Sequence, residues 1–168
     1  ENDDLLTDKV YQLKSAKLYH YQIRNKFRLD EDESGSPYRD AIDKFIEFDT
    51  HHFLAQDKVE CLMQCLKEIN LCVSRYWSRL GKYDADDLAL GADDLLPLFC
   101  YVLVKSQVNN LYSKFNYLSD FIDDNLLLGE RGYVLATLET AMNYLLTVQV
   151  ESFFDVPSPS ISTTDGQT

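Results

Sequence analysis

The stretch GADDLLPLFCYVLVK, residues 91–105, sets two aspartates and a proline directly ahead of a long apolar run. A carboxylate at the start of a helix can do two things. It caps free backbone N–H groups and complements the positive end of the helix dipole. Held rigidly above an apolar surface, it also offers a fixed anion to a partner's cation. Asp93 and Asp94 are the candidates for that chemistry. Other reactive residue types are grouped less tellingly. Asp86, Asp87, Asp93 and Asp94 lack the alternation and closing glutamate of a calcium loop, so they read as solvated. Cys61 and Cys65 stand one helical turn apart, but no histidine pair matches that spacing. His51 and His52 are adjacent and would point different ways on a helix. The four cysteines, Cys61, Cys65, Cys72 and Cys100, therefore read as small buried hydrophobes in a reducing compartment, with no metal and no cofactor expected.

Covalent catalysis has no visible apparatus. The chain contains no GxSxG elbow, no Gly-rich phosphate loop and no HExxH pair, and six glycines leave little for a nucleotide cradle. Its 168 residues suit about one domain. A net charge of −12 repels nucleic-acid backbones and anionic membranes and favours a partner with basic residues at the contact. No apolar run approaches the roughly 18 residues of a membrane span, and no signal peptide is apparent. The expectation is a soluble, excised domain that does not insert into membranes.

The elements that must position these residues follow a helical period. Val10, Leu13, Lys17, Leu18, Tyr21 and Phe27 suggest one long amphipathic segment after Thr7-Asp8. DEDESGSP, residues 30–37, reads as a loop, and residues 38–50 resume the pattern with Ile42, Phe45, Ile46 and Phe48. A strong helix is expected over residues 55–80, with Val59, Leu62, Met63, Leu66, Ile69, Leu71 and Val73 on its apolar face. Residues 81–94 read as a second acidic loop. LLPLFCYVLVK fits a buried strand or a buried helix by period alone, and its length and surroundings favour the helix. Further helices are expected around Leu111–Phe121 and over residues 133–150. The fold class is all-α, a bundle of layered helices. Residues 1–54 read as an accessory helical region, 55–150 as the core and 151–168 as a tail whose composition from Asp155 onward is that of a disordered segment. Ser36 and Ser158 each precede proline; a linker is the first reading and phosphorylation the second.

Three stretches in order carry a resemblance. Ala92, Asp93, Leu96 and Pro97 fit an Ala-Asp-x-x-Leu-Pro pattern before an apolar helix. Leu111, Ser113 and Tyr117 fit Leu-x-Ser-x-x-x-Tyr, and Gly129, Glu130 and Tyr133 fit Gly-Glu-x-x-Tyr. QDKVECLMQCLKEI, residues 56–69, looks like the Lys-Leu-x-x-Leu helix of the same family. Over roughly residues 55–148 the chain resembles the vacuolar protein sorting nine domain.

That resemblance implies an all-α guanine-nucleotide exchange factor for early-endosomal Rab GTPases, preferring the nucleotide-free partner, cytoplasmic and recruited peripherally to early endosomes. It implies Asp93 as an acidic finger toward the lysine that holds the nucleotide phosphates, and Tyr133 as the contact beside a shallow apolar groove. Pro97, Tyr101, Gly129, Glu130, Ala136 and Thr137 are the implied GTPase-binding positions. Exchanging one anion for another leaves no buried cation unpaired, so the chemistry is sound. Read without the resemblance, Asp93 is a helix N-cap and Tyr133 a core aromatic. Asp94 is the rival carboxylate, and Pro97 reads as a first-turn proline that fixes the helix start. The chain departs from the family pattern at Val134, at Ala136 (threonine is common there, and here Thr137 follows) and at Gln107, Val108 and Asn109, where Asn-Pro-Pro is usual. Those departures keep a second reading open, a helical interaction module that binds a GTPase or another protein without exchange. A scaffold or dimerisation domain is a third.

Overall fold

In the computed structural model, residues 1–29, 36–51 and 54–159 are described. Among them the chain forms seven α-helices and no strand: α1 (Asn2–Gln12), α2 (Arg39–Thr50), α3 (Ala55–Leu80), α4 (Ala92–Ser106), α5 (Leu111–Phe121), α6 (Glu130–Thr147) and α7 (Val150–Phe154). Short 3-10 turns cover Leu18–Tyr21, Asn25–Phe27, Ala85–Leu88 and Asp124–Leu127. The all-α expectation holds. No helix among the described residues is long and apolar enough to cross a membrane.

The ambiguous apolar run is the central helix. Every residue of α4 from Leu98 to Val104 is buried, so the helix is apolar all round because it has neighbours all round. It packs against α1, α2, α3, α6 and the Leu18–Tyr21 turn. The long α3 lies on α2 and α6 and buries Val59, Leu62, Leu66, Ile69 and Val73 along one face. Leu71, expected on that face, is 42% exposed, because two residues from Ile69 is about 200° around the helix. The helix stops at Gly81, whose left-handed backbone (φ 62°) lets its N–H bond the Trp77 carbonyl.

The N-terminal region differs from expectation. The long amphipathic helix ends at Gln12, and Leu13, Ala16, Leu18, Tyr21, Ile23, Phe27 and Leu29 are buried from irregular chain and 3-10 turns. Their spacing of two, three and four residues fits no single helical face. Gln22, with φ 56°, ends the first of these turns in a conformation that no α-helix continues through.

Residues 1–29 dock onto the later helices. Asp3 of α1 accepts hydrogen bonds from the backbone N–H of Tyr112 (2.8 Å) and Ser113 (3.2 Å), and the Ser113 hydroxyl also donates to it. The free N-terminus of α5 is thus capped from another helix, while its own N-cap residue Asn110 makes no side-chain cap. Burial pushes the Asp3 carboxyl up, but the bonds from Ser113 and Tyr112 outweigh it and hold the pKa below the ordinary value. Lys9 Nζ donates to the Val148 carbonyl at 2.6 Å, and Gln107 Nε2 to that of Val10 at 3.1 Å.

The expected last helix over 133–150 is two. It begins earlier, at Glu130, and a break at Val148 and Gln149 separates α6 from α7. Residues 151–154, assigned to the tail, complete α7, and buried Phe153 meets Tyr21 edge-on with ring centroids 5.0 Å apart. The tail beyond residue 159, the loop residues 30–35 and His52 lie outside the described residues.

All four cysteines are buried free thiols, as expected of small hydrophobes. Cys61 and Cys65 donate to the carbonyls of Lys44 and Ala41 on α2. Burial pushes the Cys61 and Cys72 thiols up to about 11, which leaves them unreactive at neutral pH. No group of three His, Cys, Asp or Glu among the described residues is arranged to hold a metal ion.

Candidate functional site

Helix α4 begins at Ala92 because Gly91, in extended backbone, turns its carbonyl inward to accept from Leu95 N–H at 2.9 Å. Gly91 is therefore the N-cap and Asp93 the second helical residue, which removes the N-cap reading of Asp93. Its carboxylate is exposed, with no ion pair or hydrogen bond among the described residues. Both aspartates sit in the first turn, where the helix dipole favours negative charge.

The neighbouring acid is differently placed. Asp94 is held by Arg24 in a two-pronged ion pair, Nε to Oδ1 at 2.6 Å and Nη2 to Oδ2 at 2.5 Å. Its side chain is 10% exposed against 58% for Arg24. Fork-to-fork pairing of this kind fixes both partners. One aspartate is thus neutralised inside the protein and the other is left free, a distinction that the adjacent letters DD do not carry.

Asp93 overlooks a groove of about 360 Å³ between two helices. Helix α4 contributes Ala92, Asp93, Leu96 and Pro97, and α6 contributes Tyr133, Ala136, Thr137 and Thr140. Each set follows the spacing of one helix face. Tyr133 is 50% exposed, so the core-aromatic reading of it fails. The groove stays apolar despite its threonines, because Thr137 Oγ1 donates to the Tyr133 carbonyl and Thr140 Oγ1 to that of Ala136, both at 2.7 Å.

Pro97 lies in the groove wall but not in the first turn. It is the sixth residue of α4, and having no N–H it leaves the Asp93 carbonyl without the donor that an ordinary helix supplies four residues on. The helix start is set by Gly91 instead. Tyr101, an expected contact, is 1% exposed. One turn deeper along α4 than Pro97, it meets the Tyr21 and Tyr38 rings edge-on, and its hydroxyl lies 3.1 Å from Ser36 Oγ. A partner cannot reach it, so Tyr101 is a core residue.

Gly129 and Glu130 are exposed at the start of α6, a turn before the groove lining begins at Tyr133. Gly129 is the N-cap, with φ 76° and ψ −139°, a conformation for which glycine is needed. Gly132, not singled out from the sequence, is equally constrained: a Cβ there would lie 1.9 Å from the Leu127 carbonyl oxygen. These two glycines let α6 start hard against the Asp124–Leu127 turn and aim Tyr133 at the groove. Thr140 was missed as well, although its spacing from Tyr133 and Ala136 puts it on the same face. Arg24 carried no local signal, standing 70 residues from its partner.

Comparison with known proteins bears on the family. Residues 38–150, more than half of the chain, match the Vacuolar sorting protein 9 (VPS9) domain. The match includes α2 as well as the stretch from residue 55. VPS9 domain-containing protein 1 of Homo sapiens is 34% identical over 96 residues, 54% of this chain and 15% of that protein. Vacuolar protein sorting-associated protein vps901 of Schizosaccharomyces pombe is 26% identical over 152 residues, 90% of this chain and 24% of that one. Receptor-mediated endocytosis protein 6 of Caenorhabditis briggsae is 26% identical over 98 residues, 58% of this chain and 8% of its own length. The chain spans less than a quarter of each of these relatives. Matched to that domain from α2 to the start of α7, the chain belongs to the VPS9 domain family.

Proposed function

We propose that the chain is a guanine-nucleotide exchange module for Rab small GTPases of the early-endosomal subgroup, acting from the cytoplasmic side of endosomes. The observation that carries this reading is the free Asp93 carboxylate beside an apolar groove while Asp94 is held by Arg24. The groove accepts aromatic side chains of the GTPase switch regions, with Tyr133 offering apolar area and one polar tip. Asp93 approaches the lysine that holds the nucleotide phosphates and replaces phosphate as its partner, so release of GDP leaves no cation unpaired. By linkage, a domain that weakens nucleotide binding is itself expelled by nucleotide, and the nucleotide-free GTPase is the preferred partner. Family membership supports the exchange reading, and one relative's name, receptor-mediated endocytosis protein 6, supports the endosomal setting.

The test is release of a fluorescent GDP analogue from a panel of Rab proteins. Asp93→Ala is expected to lower the rate by roughly 10²-fold, the scale of losing one preorganised electrostatic group, with the fold intact. Tyr133→Ala lowers it strongly and Tyr133→Phe retains part. Full activity in Asp93→Ala removes the acidic-finger assignment. Ala136, exposed in the groove where a threonine is common in the family, favours the second reading, a module that binds a GTPase without exchange. Tightest binding to the GTP-loaded GTPase would establish that reading, and equal affinity for the nucleotide-free, GDP-loaded and GTP-loaded forms would leave only a scaffold.

A further inference from the structure

The groove that Asp93 overlooks does not end at Thr140. On α6, Tyr133, Thr137, Thr140 and Tyr144 follow one another at intervals of four, three and four residues, the spacing of a single helix face. Tyr144 lines a second cavity of about 280 Å³ that shares Asp93, Leu96 and Pro97 with the groove. The two form one trough along α6, with a tyrosine toward each end. Tyr133 is 50% exposed and Tyr144 43%, so a partner reaches both rings. The helical rise between them is about 16 Å.

The Tyr144 end is firmly built. Buried Ala141, Met142 and Leu145 fix this part of α6 in the core. Across the cavity the rim is Gln22, an exposed residue between buried Tyr21 and Ile23. Gln22 stands at φ 56°, where a non-glycine residue stays only if its surroundings demand it. Arg24, two residues on, is clamped to Asp94. Tyr21, 3% exposed, backs this rim with its ring edge-on to Tyr101 and Phe153 and is out of a partner's reach. What a partner meets is the half-buried apolar surface of Leu96 and Pro97, between the Tyr144 ring and the Gln22 amide. Gln22 precedes the family match at 38–150, so this rim comes from chain outside the matched domain.

We propose that Tyr144 is a second aromatic anchor for the bound GTPase, and that the cavity between Tyr144 and Gln22 takes an apolar side chain of it. This rests on the exchange reading above. The occupant follows from continuity, because Leu96 and Pro97 belong to both cavities and a segment lying against Tyr133 passes over them to reach Tyr144. A span of about 16 Å holds about five residues of extended chain. The segment that fits therefore carries two apolar side chains roughly that far apart, one against Tyr133 and one over Leu96 and Pro97 against Tyr144. Asp93 keeps its role toward the lysine that holds the phosphates. Tyr144 stands away from that exchange of anions and grips the loaded and the nucleotide-free GTPase alike. A GTPase without the second apolar side chain loses the contact, which makes Tyr144 a specificity-determining residue.

Saturation curves for GDP release on the Rab panel separate kcat from KM in the Tyr144→Ala chain. A contact held equally in both states raises KM about tenfold on the preferred Rab and leaves kcat near wild type, whereas Asp93→Ala lowers kcat. Tyr144→Phe keeps the ring and stays near wild type. Poorly accepted Rab proteins change little, so the panel flattens. Gln22→Asn shortens the opposite rim in a residue that tolerates the same positive φ, and raises KM by a smaller factor. Melting temperatures are measured alongside and stay near wild type, since a half-exposed ring gives little to the core. Unaltered KM and kcat in Tyr144→Ala, or a loss matched by a fall in melting temperature, would overturn the anchor; with Asp93→Ala still impaired, the exchange reading stands. Absence of exchange by the wild-type chain on every Rab would overturn both.

Discussion

Gly132→Ala tests how tightly the site depends on the packing beneath it. The added Cβ would lie 1.9 Å from the Leu127 carbonyl oxygen and 3.0 Å from its carbon. Contacts under 3.0 Å are essentially never seen for real Cβ atoms, so the two segments must separate by more than 1 Å. Neither side yields cheaply. On α6, buried Val134, Leu135 and Leu138 anchor the helix in the core. On the other side, the Asp124–Leu127 turn is closed by Leu126 N–H to the Asp123 carbonyl at 2.8 Å and by Asn125 N–H to Asp123 Oδ1 at 2.9 Å. Overpacking of this kind costs about 1–3 kcal/mol. Replacing a helical glycine by alanine returns up to ~1 kcal/mol, so a net loss of up to about 2 kcal/mol is expected. Urea denaturation at 25 °C measures it. Tyr133 is the next residue, so the shift also moves the aromatic ring relative to Asp93. Misplacement by about 1 Å lowers exchange on the order of tenfold or more under conditions where the protein is fully folded. Gly129→Ala separates backbone strain from clash: nothing lies within 4 Å of its Cβ, and only the positive φ is penalised, at about 1–3 kcal/mol. If Gly132→Ala is as stable as wild type and exchanges at the wild-type rate, α6 has room to move and the positioning argument is wrong.

Two further outcomes follow from long-range contacts. Asp94→Ala frees Arg24 in the same cavity as Asp93, where it competes for the carboxylate; a two- to fivefold loss of exchange is expected, far milder than Asp93→Ala, because exposed ion pairs are weak. Adding Arg24→Ala should restore the rate, and failure of that rescue would show that Asp94 acts otherwise. Asp3→Ala uncaps α5 and should cost about 1 kcal/mol at neutral pH. Because the folded pKa of Asp3 is lowered, its contribution is complete above the ordinary carboxylate value near 3.9 and is lost as pH falls through the folded value. The stability gap between wild type and Asp3→Ala, followed by denaturation from pH 7 to pH 2, should therefore hold down to the ordinary carboxylate value and narrow below it.

The helical content was legible because helices announce themselves over neighbouring residues. Helix α3 runs over the residues that its apolar period marks, and residues 39–50 form α2 for the same reason. Family resemblance was legible too, since motifs around Asp93, Ser113 and Tyr133 keep their order and spacing. Local pattern misled where burial came from non-helical chain. Residues 13–29 are apolar enough for a helix, yet they bury their side chains through turns, and Tyr101 belongs to a recognisable helix face that other aromatics cover.

The sequence by itself determined where α2, α3, α4 and α5 run, that α4 is apolar enough to sit at the centre, and that an acid stands at its start. Only the tertiary structure decided which acid is available. Asp93 and Asp94 are adjacent and identical in chemistry, and what separates them is Arg24, brought to one of them across 70 residues of chain. The same holds for the cap that Asp3 lends to α5 across 109 residues and for the wall that Tyr21 and Gln22 build beside Asp93. Local periodicity reports the preferences of a segment. Pairings between distant segments depend on how the whole core closes, and at this site those pairings leave Asp93 free while Asp94 is held.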